Sequence, residues 1–372
     1  MKKYCIIWLL LSCFIARGQD GTDTRGPDIP KGETGSTASI ARFINSNFKT
    51  DRDRFHAIHT WVINNIQYDT DSMYQINWNK GEDARITEAL RRRKGVCENF
   101  AALFNDIAVK CGLTSFEVEG YTKQGGRIDR TGHTWCAVKA DGEWLLCDPT
   151  WDKDARISLS YFLVSPATFI ESHMPFDPMW QLLDYPVSHD EFYRGINAAQ
   201  KDKAFFNFTD SIKAYSRMDK LQQMQATAER MSRSNKMIEL LKNRIAYTNM
   251  QIGIICEEKD RLLYNAAVDD LNHATHIFNA FVQYRNSQFL PAKKNIQIND
   301  MLNPVPVIIA AAFQKISNIG KVVPDYQYDT GDLVSRLNVL RQRVHEQQDF
   351  IKRYFASDES EKKRMFYRSD NK

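Results

Sequence analysis

Apolar residues return every three or four positions in two stretches near the start of the chain. Ile40, Phe43 and Ile44 follow Ser36 and Thr37, either of which can cap the free amides of a short helix. Phe55, Ile58, Trp61, Val62, Asn65 and Ile66 follow Asp51, which can cap a second helix packed by its aromatic stripe. Between Asp69 and Gly95 the period is lost, and this stretch ends in the basic run Arg91-Arg92-Arg93-Lys94. It resumes over Val96, Phe100, Ala101, Leu103, Phe104, Ile107 and Ala108, and Cys111-Gly112 supplies a stop. Cys97 therefore falls in or just before the first turn of a helix.

A different period follows. Residues Phe116 to Tyr121 have the pattern of a strand, with Gly125-Gly126 as a loop after it. His133–Lys139 and Glu143–Asp148 are two further β-type runs separated by Ala140-Asp141-Gly142, and Asp-Gly is a strong two-residue hairpin signal. With that loop, opposed residues have numbers summing to 283. Trp135 then faces Asp148, and His133, Trp135 and Asp148 share one face, with His133 and Asp148 as diagonal neighbours. Cys136 faces Cys147 on the other side. Counted from the turn, this is a hydrogen-bonded pair with its side chains splayed, so two reduced thiols are favoured over a disulfide.

After Phe192 the composition changes. No proline occurs from Val187 to Leu290, and that interval holds only Gly195 and Gly253 as glycines. Met231, Ile238, Ile245 and Ile252 alternate with Leu241, Thr248, Ile255 and Leu262 at seven-residue spacing, the period of a coiled-coil seam or helix hairpin. Lys259, Asp269 and His273 spoil a long parallel seam, which favours an antiparallel bundle. Further helices are expected over Val307–Ile319 and Leu333–Phe355, with a charged, fraying tail from Ser357.

At 372 residues the chain is long enough for two domains, and 43% hydrophobic against 26% charged residues excludes disordered and collagen-like classes. The first residues have the pattern of an export signal, with Lys2 and Lys3, an apolar run from Tyr4 to Ile15, and Ala16-Arg17-Gly18. The expected divisions are a signal over 1–18, a flexible leader over 19–37, a mixed domain over 38–192 and a helical region over 193–372. The expected location is secreted or periplasmic. A lipoprotein anchored through Cys13 is the minority alternative, and the one way in which a membrane would be involved. Loss of Lys2, Lys3 and Arg17 would reduce the net charge from +4 to +1, which calls for no polyanionic partner. Outside the signal stand Cys97, Cys111, Cys136, Cys147 and Cys256, an odd number without metal-site spacing, so at least one thiol is free or paired outside the chain.

Cys97, His133 and Asp148 are the residues on which chemistry can be built. A helix N-terminus favours thiolate over thiol, an imidazole can take the thiol proton and return it to a leaving amine, and a carboxylate fixes the imidazole's tautomer. Taken singly, each has an ordinary reading as a buried hydrophobe, a satisfied polar group and a turn residue. It is the joint placement that carries weight.

Gly95-Val96-Cys97-Glu98-Asn99-Phe100-Ala101, Gly120-Tyr121, His133-Thr134-Trp135, Trp144 and Asp148-Pro149-Thr150-Trp151-Asp152 together resemble the transglutaminase-like domain of the papain-like superfamily. Ile58-His59-Thr60-Trp61-Val62 and Ile66-Gln67-Tyr68-Asp69 resemble its lead-in. Phe162-Leu163-Val164-Ser165-Pro166 and the stretch from His173-Met174-Pro175 to Trp180-Gln181-Leu182-Leu183 resemble its kyphoscoliosis-peptidase branch. The resemblance covers roughly residues 50 to 192. It implies an α+β domain with the Cys97 helix packed on an antiparallel sheet, followed here by an all-α bundle or coiled-coil region. It also implies a cysteine peptidase or acyltransferase acting on peptide or glutamine-type amides through a triad of Cys97 as nucleophile, His133 as base and acid, and Asp148 as orienting carboxylate, with no cofactor.

Three alternatives stay open at this level. Water or an amine can be the acceptor, an amine acetyltransferase on a related fold is a weaker option, and a catalytically silent domain can bind peptides while the helical half assembles copies or partners. Trp78 and Asn79 are weak candidates for a second oxyanion donor. His56 with His59, and His273 with His276, have helical spacing for a metal but lack further ligands nearby. Arg91–Lys94 is more simply a solvated face than a site for an acidic substrate. No phosphate-binding loop, dinucleotide fingerprint or aromatic-interleaved basic patch is present, so no nucleic acid is expected as partner.

Overall fold

The computed structural model describes residues 25–71, 81–153, 159–195, 203–234, 237–320 and 328–366. The signal and the start of the leader, and Trp78 and Asn79, lie outside the described residues. The chain separates into two compact units, 1–248 and 249–372.

In the first unit, helices α1 (Thr37–Asn47) and α2 (Asp51–Asn65) form where the period predicts them. Ser36 caps α1, accepting from Ser39 N at 3.1 Å. Thr50 caps α2, and Asp51 is the first helical residue: the Thr50 hydroxyl accepts from Asp53 N at 3.1 Å. The two-residue strands β1 (Gln67–Tyr68) and β2 (Lys94–Gly95) pair in parallel. Between them runs α3 (Glu82–Arg92), in the stretch expected to be irregular: Ile86 and Ala89 are buried and Leu90 packs beside them at helical spacing, within a segment otherwise dense in charge. The basic run that ends it binds inward. Arg92 and Lys94 each stand 2.9 Å from the carboxylate of buried Asp69.

Helix α4 (Cys97–Lys110) is the central element of the first core, burying Phe100, Ala101, Leu103, Phe104, Ile107 and Ala108 among Ile40, Ile44, Phe55, Ile58 and Trp61. It packs on a four-stranded antiparallel sheet of β3 (Thr114–Gln124), β4 (Arg127–Ala140), β5 (Glu143–Cys147) and β6 (His173–Pro175), in the order β5-β4-β3-β6. The β4–β5 hairpin has the register expected from its Asp-Gly loop. Cys136 opposes Cys147, and Asp141 and Gly142 both take positive φ, 51° and 88°. Both thiols are free. Cys136 Sγ donates to Ala101 O at 3.5 Å, while Cys147 Sγ accepts from Leu163 N at 3.3 Å.

The strand β6 is not legible from alternation, being three residues long and ending in a proline that only an edge strand tolerates. It lies against β3 with Gly120 opposite Pro175 and Thr122 opposite His173. Gly120 is required there, since a Cβ would come within 2.2 Å of Met174 O and 2.4 Å of the Trp135 ring.

The composition changes at 193, yet the first compact unit continues beyond it. Ile212 of α7 (Phe208–Tyr215) packs with Trp135 and Trp180, and Met231 of α8 (Lys220–Ser232) packs with Tyr121, Met174 and Phe192. Between these strands and α7 lie the short helices α5 (Pro166–Phe169) and α6 (His189–Arg194). Arg230 grips buried Asp177 through two nitrogens at 2.7–3.0 Å, and Arg244 pairs with Glu119.

The second unit is helical, as expected. It comprises the part of α9 (Glu239–Asn286) from 249 onward, α10 (Asn295–Asp300), α11 (Pro304–Ser317), α12 (Thr330–Ala356) and α13 (Glu359–Met365). Its core takes Ala267, Leu271, Ala274, Phe278 and Phe281 from α9, Val305, Ile309 and Ala312 from α11, and Leu333, Leu337, Leu340 and Val344 from α12. The heptad positions from Met231 to Leu262, read as a seam or a helix hairpin, are spread over two helices. Helix α8 ends at Ser232, and Leu262 is 57% exposed. The tail from Ser357 does not fray at once, because Asp358 caps α13 by accepting from Glu361 N at 2.8 Å, and Phe366 packs 5.7 Å from Phe289.

Candidate active site

Cys97 is the first residue of α4, and the residues before it fix where that helix begins. Val96 is extended, and its amide donates to Asn99 Oδ1 at 3.0 Å, closing the first turn. Gly95 leaves room for this, since a Cβ would lie 2.5 Å from that of Asn99. The Cys97 thiol is half-buried, while Cys111, Cys136 and Cys147 are fully buried. At this first position of the helix the backbone N–H has no partner within the helix, so sulfur and amide donor share the positive end of its dipole.

His133 projects from β4, three residues before Cys136, and lies close enough to Cys97 for the thiol to raise its pKa. Its Nε2 lies 2.6 Å from Asp148 Oδ2, which leaves Nδ1 as the nitrogen for sulfur. Asp148, the residue after β5, has no exposed surface. Its Oδ1 accepts from Thr150 N at 2.8 Å and Trp151 N at 3.3 Å, and its own amide donates to Tyr161 O at 2.8 Å. Four residues on, Asp152 anchors the same segment. Its carboxylate lies 2.9 Å from His59 Nε2 and accepts from the amides of Ser160 and Tyr161. His59 is thereby tied to the loop after β5.

The electrostatics favour an ion pair. Burial works against charge on His133, but the Asp148 carboxylate beside it, with Cys97 acting in the same direction, holds the imidazolium well above the ordinary histidine value. Burial likewise penalises the Asp148 anion. The His133 charge and hydrogen bonds from both rings reverse this and keep its carboxyl well below the usual carboxylate range.

The structure thus joins His133 to Asp148, with Cys97 near enough to act on the His133 charge, and adds His173, which sequence reasoning passes over. His173 Nε2 stands 3.1 Å from Asp148 Oδ2, and its ring lies 4.1 Å from Phe169 and 4.4 Å from Trp151. Its only sequence signal is its place in the His173-Met174-Pro175 segment. The three atoms His133 Nε2, Asp148 Oδ2 and His173 Nε2 are close enough to surround a metal ion. Hydrogen bonds between them already account for that closeness.

An open cleft of about 550 Å³ adjoins the constellation, lined by Lys123, Gln124, Gly125, Trp151, Tyr161 and Ser172. Trp151 joins the two, its ring 6.0 Å from that of His133.

Comparison with known proteins locates the same region. Residues 38–149 match the profile of the Transglutaminase-like superfamily. Human kyphoscoliosis peptidase is 33% identical over 162 residues, 38% of this chain and 24% of that protein. The mouse protein of that name is 33% identical over 177 residues, 42% of this chain and 25% of its own. The Lim and transglutaminase domain protein ltd-1 of Caenorhabditis elegans is 26% identical over 194 residues, 44% of this chain and 26% of its own. The chain thus matches about a quarter of the length of these relatives.

Proposed function

Because residues 38–149 are a transglutaminase-like domain, we propose that this chain is a cysteine-dependent acyl-transfer enzyme, and that its reaction is hydrolysis of a peptide or glutamine-type amide. The observation that carries the proposal is the 2.6 Å contact between His133 Nε2 and Asp148 Oδ2, with Cys97 at a helix start close enough to act on the His133 charge. The name of the mammalian relatives, peptidase, supports hydrolysis over crosslinking.

The Cys97 proton passes to His133, and the sulfur attacks the carbonyl carbon. The Cys97 amide is one donor to the oxygen that becomes negative. As the C–N bond breaks, His133 returns its proton to the amine nitrogen, leaving a thioester on Cys97. Water then gives a proton to His133 and attacks the thioester, and the C–S bond breaks with the electron pair returning to sulfur. Asp148 keeps the imidazole oriented and compensates its charge throughout.

Incubation with p-nitrophenyl acetate tests this. The expected result is a burst of nitrophenol and an acetyl group on the Cys97 peptide, both lost in His133→Ala. Release into water rather than onto a fluorescent primary amine would support hydrolysis. The absence of any Cys97 acylation would leave a peptide-binding scaffold as the better reading.

Export and assembly belong to the same proposal. A mature chain beginning at Gln19 would support cleavage of a signal, and a lipid-modified Cys13 would favour an anchor. An oligomeric native mass would support a role of the helical half in self-association.

A further inference from the structure

Two imidazoles converge on one carboxylate oxygen, and the acyl-transfer chemistry uses only one of them. Asp148 is fully buried, with Oδ1 engaged by two backbone amides and Oδ2 by His133 at 2.6 Å and His173 at 3.1 Å. An ionised carboxylate only accepts, so each ring must present an N–H at Nε2.

For His173 this fixes the tautomer. Its ring side chain has no exposed surface, and burial lowers its pKa from the ordinary value, with the Asp148 carboxylate opposing and the His133 charge reinforcing that direction. Asp129 is the other charged group acting on it. A neutral His173 with its proton on Nε2 has a bare Nδ1, and that atom lies 2.7 Å from Ser172 Oγ. The serine hydroxyl therefore donates to Nδ1. Ser172 and Tyr161 both line the cleft beside the site.

We propose that His173 is a positioning residue: as a neutral Nε2–H donor it turns Asp148 Oδ2 toward His133, and through Ser172 it ties that carboxylate to the cleft wall. The inference rests on the cysteine-enzyme reading above. A neutral donor suits the task, because it orients the carboxylate while leaving its negative charge for the imidazolium of His133. A second imidazolium would divide that charge and repel the first. The fold supports the ring from behind. On β6, the next residue, Met174, is buried with Tyr121, Phe192, Met231 and Leu241, and Gly120 permits the close strand contact. The helices that continue the first unit past residue 192 thus brace the strand that carries His173.

The test compares two variants by site-resolved iodoacetamide alkylation of Cys97 at pH 6. His173→Phe keeps an aromatic ring against Phe169 and Trp151 but has no N–H. His173→Gln loses the ring and keeps a donor near the place of Nε2. The expected result is a rate ~10-fold or more below wild type for His173→Phe and within ~3-fold of wild type for His173→Gln. A merely structural ring predicts the reverse order, which would overturn the proposal. A second measurement needs no variant to be active. 15N-labelled histidine spectra of the wild-type chain at pH 7, with His173 assigned by its absence in His173→Gln, should show a neutral ring protonated at Nε2. A charged ring or a proton on Nδ1 would overturn it. If wild-type Cys97 reacts no faster than in His133→Ala, the cysteine-enzyme reading fails and takes this inference with it. A wild-type enhancement that survives intact in His173→Phe overturns the inference alone.

Discussion

Replacing Asp148 by asparagine keeps the shape of the side chain and removes its charge, so it isolates what the buried carboxylate contributes. In the native chain Oδ2 accepts from two imidazoles at 2.6 and 3.1 Å and Oδ1 from two backbone amides. In Asp148→Asn the amides keep an acceptor, but a carbonyl and an NH2 group cannot satisfy two converging N–H donors as well as an anion does. A hydrogen bond to a charged group contributes roughly 1.5–3 kcal/mol and about half that when both partners are neutral. Weakening the two ring contacts should therefore destabilise the first unit by about 1.5–3 kcal/mol near pH 6.

The pH dependence has a definite sign. Asp148 is shifted down from its ordinary value and His133 is shifted up. Between about pH 4 and 6.5 both groups are charged in the folded and unfolded chain alike, and their pairing contributes in full. Above about 6.5 the unfolded imidazole loses its proton while the folded one keeps it, so the contribution shrinks by up to ~1.4 kcal/mol per pH unit as pH rises. Below about pH 4 it shrinks as pH falls, because the unfolded carboxylate takes up a proton that the folded one does not. Urea unfolding followed by tryptophan fluorescence reports on the first unit, since no tryptophan follows Trp180. The stability gap between wild type and Asp148→Asn should narrow from pH 6.5 to 8.5. A constant or widening gap would refute the ion-pair assignment.

Two further outcomes follow from the same geometry. Gly120→Ala places a Cβ against Met174 O and the Trp135 ring, neither able to yield without moving β6, so it should cost about 2–4 kcal/mol in the same urea assay and slow Cys97 alkylation as well. Arg230→Met strands the buried Asp177 carboxylate and should cost about 3 kcal/mol, and adding Asp177→Asn should restore part of the loss, which a double-mutant cycle would measure.

Much of the first unit was legible because local rules and tertiary packing agree there. The Asp141-Gly142 loop fixed the β4–β5 register, and the period from Val96 to Ala108 fixed the helix on which Cys97 stands. Where the two disagree, sequence reasoning went astray. Ile86, Ala89 and Leu90 stand at helical spacing in α3, but so short a stripe is easily passed over within a charged run. The heptad from Met231 to Leu262 left a seam and a helix hairpin open, because spacing alone does not reveal the break between α8 and α9 or that its last position faces solvent. His173 was hidden for a different reason. Three residues of edge strand carry no alternation, and the role of its ring depends on Asp148, twenty-five positions earlier, which only the folded sheet brings near.

The central claim is that Cys97 and His133 act as one chemical unit, and the reaction of Cys97 with iodoacetamide across pH 5.5 to 8 tests it most directly. With the modified peptide identified by mass so that Cys256 is not counted, Cys97 in the native chain should react at pH 6 at least ~10-fold faster than Cys97 in His133→Ala. Equal rates in the two proteins, rising together with pH as for an ordinary free thiol, would contradict the account.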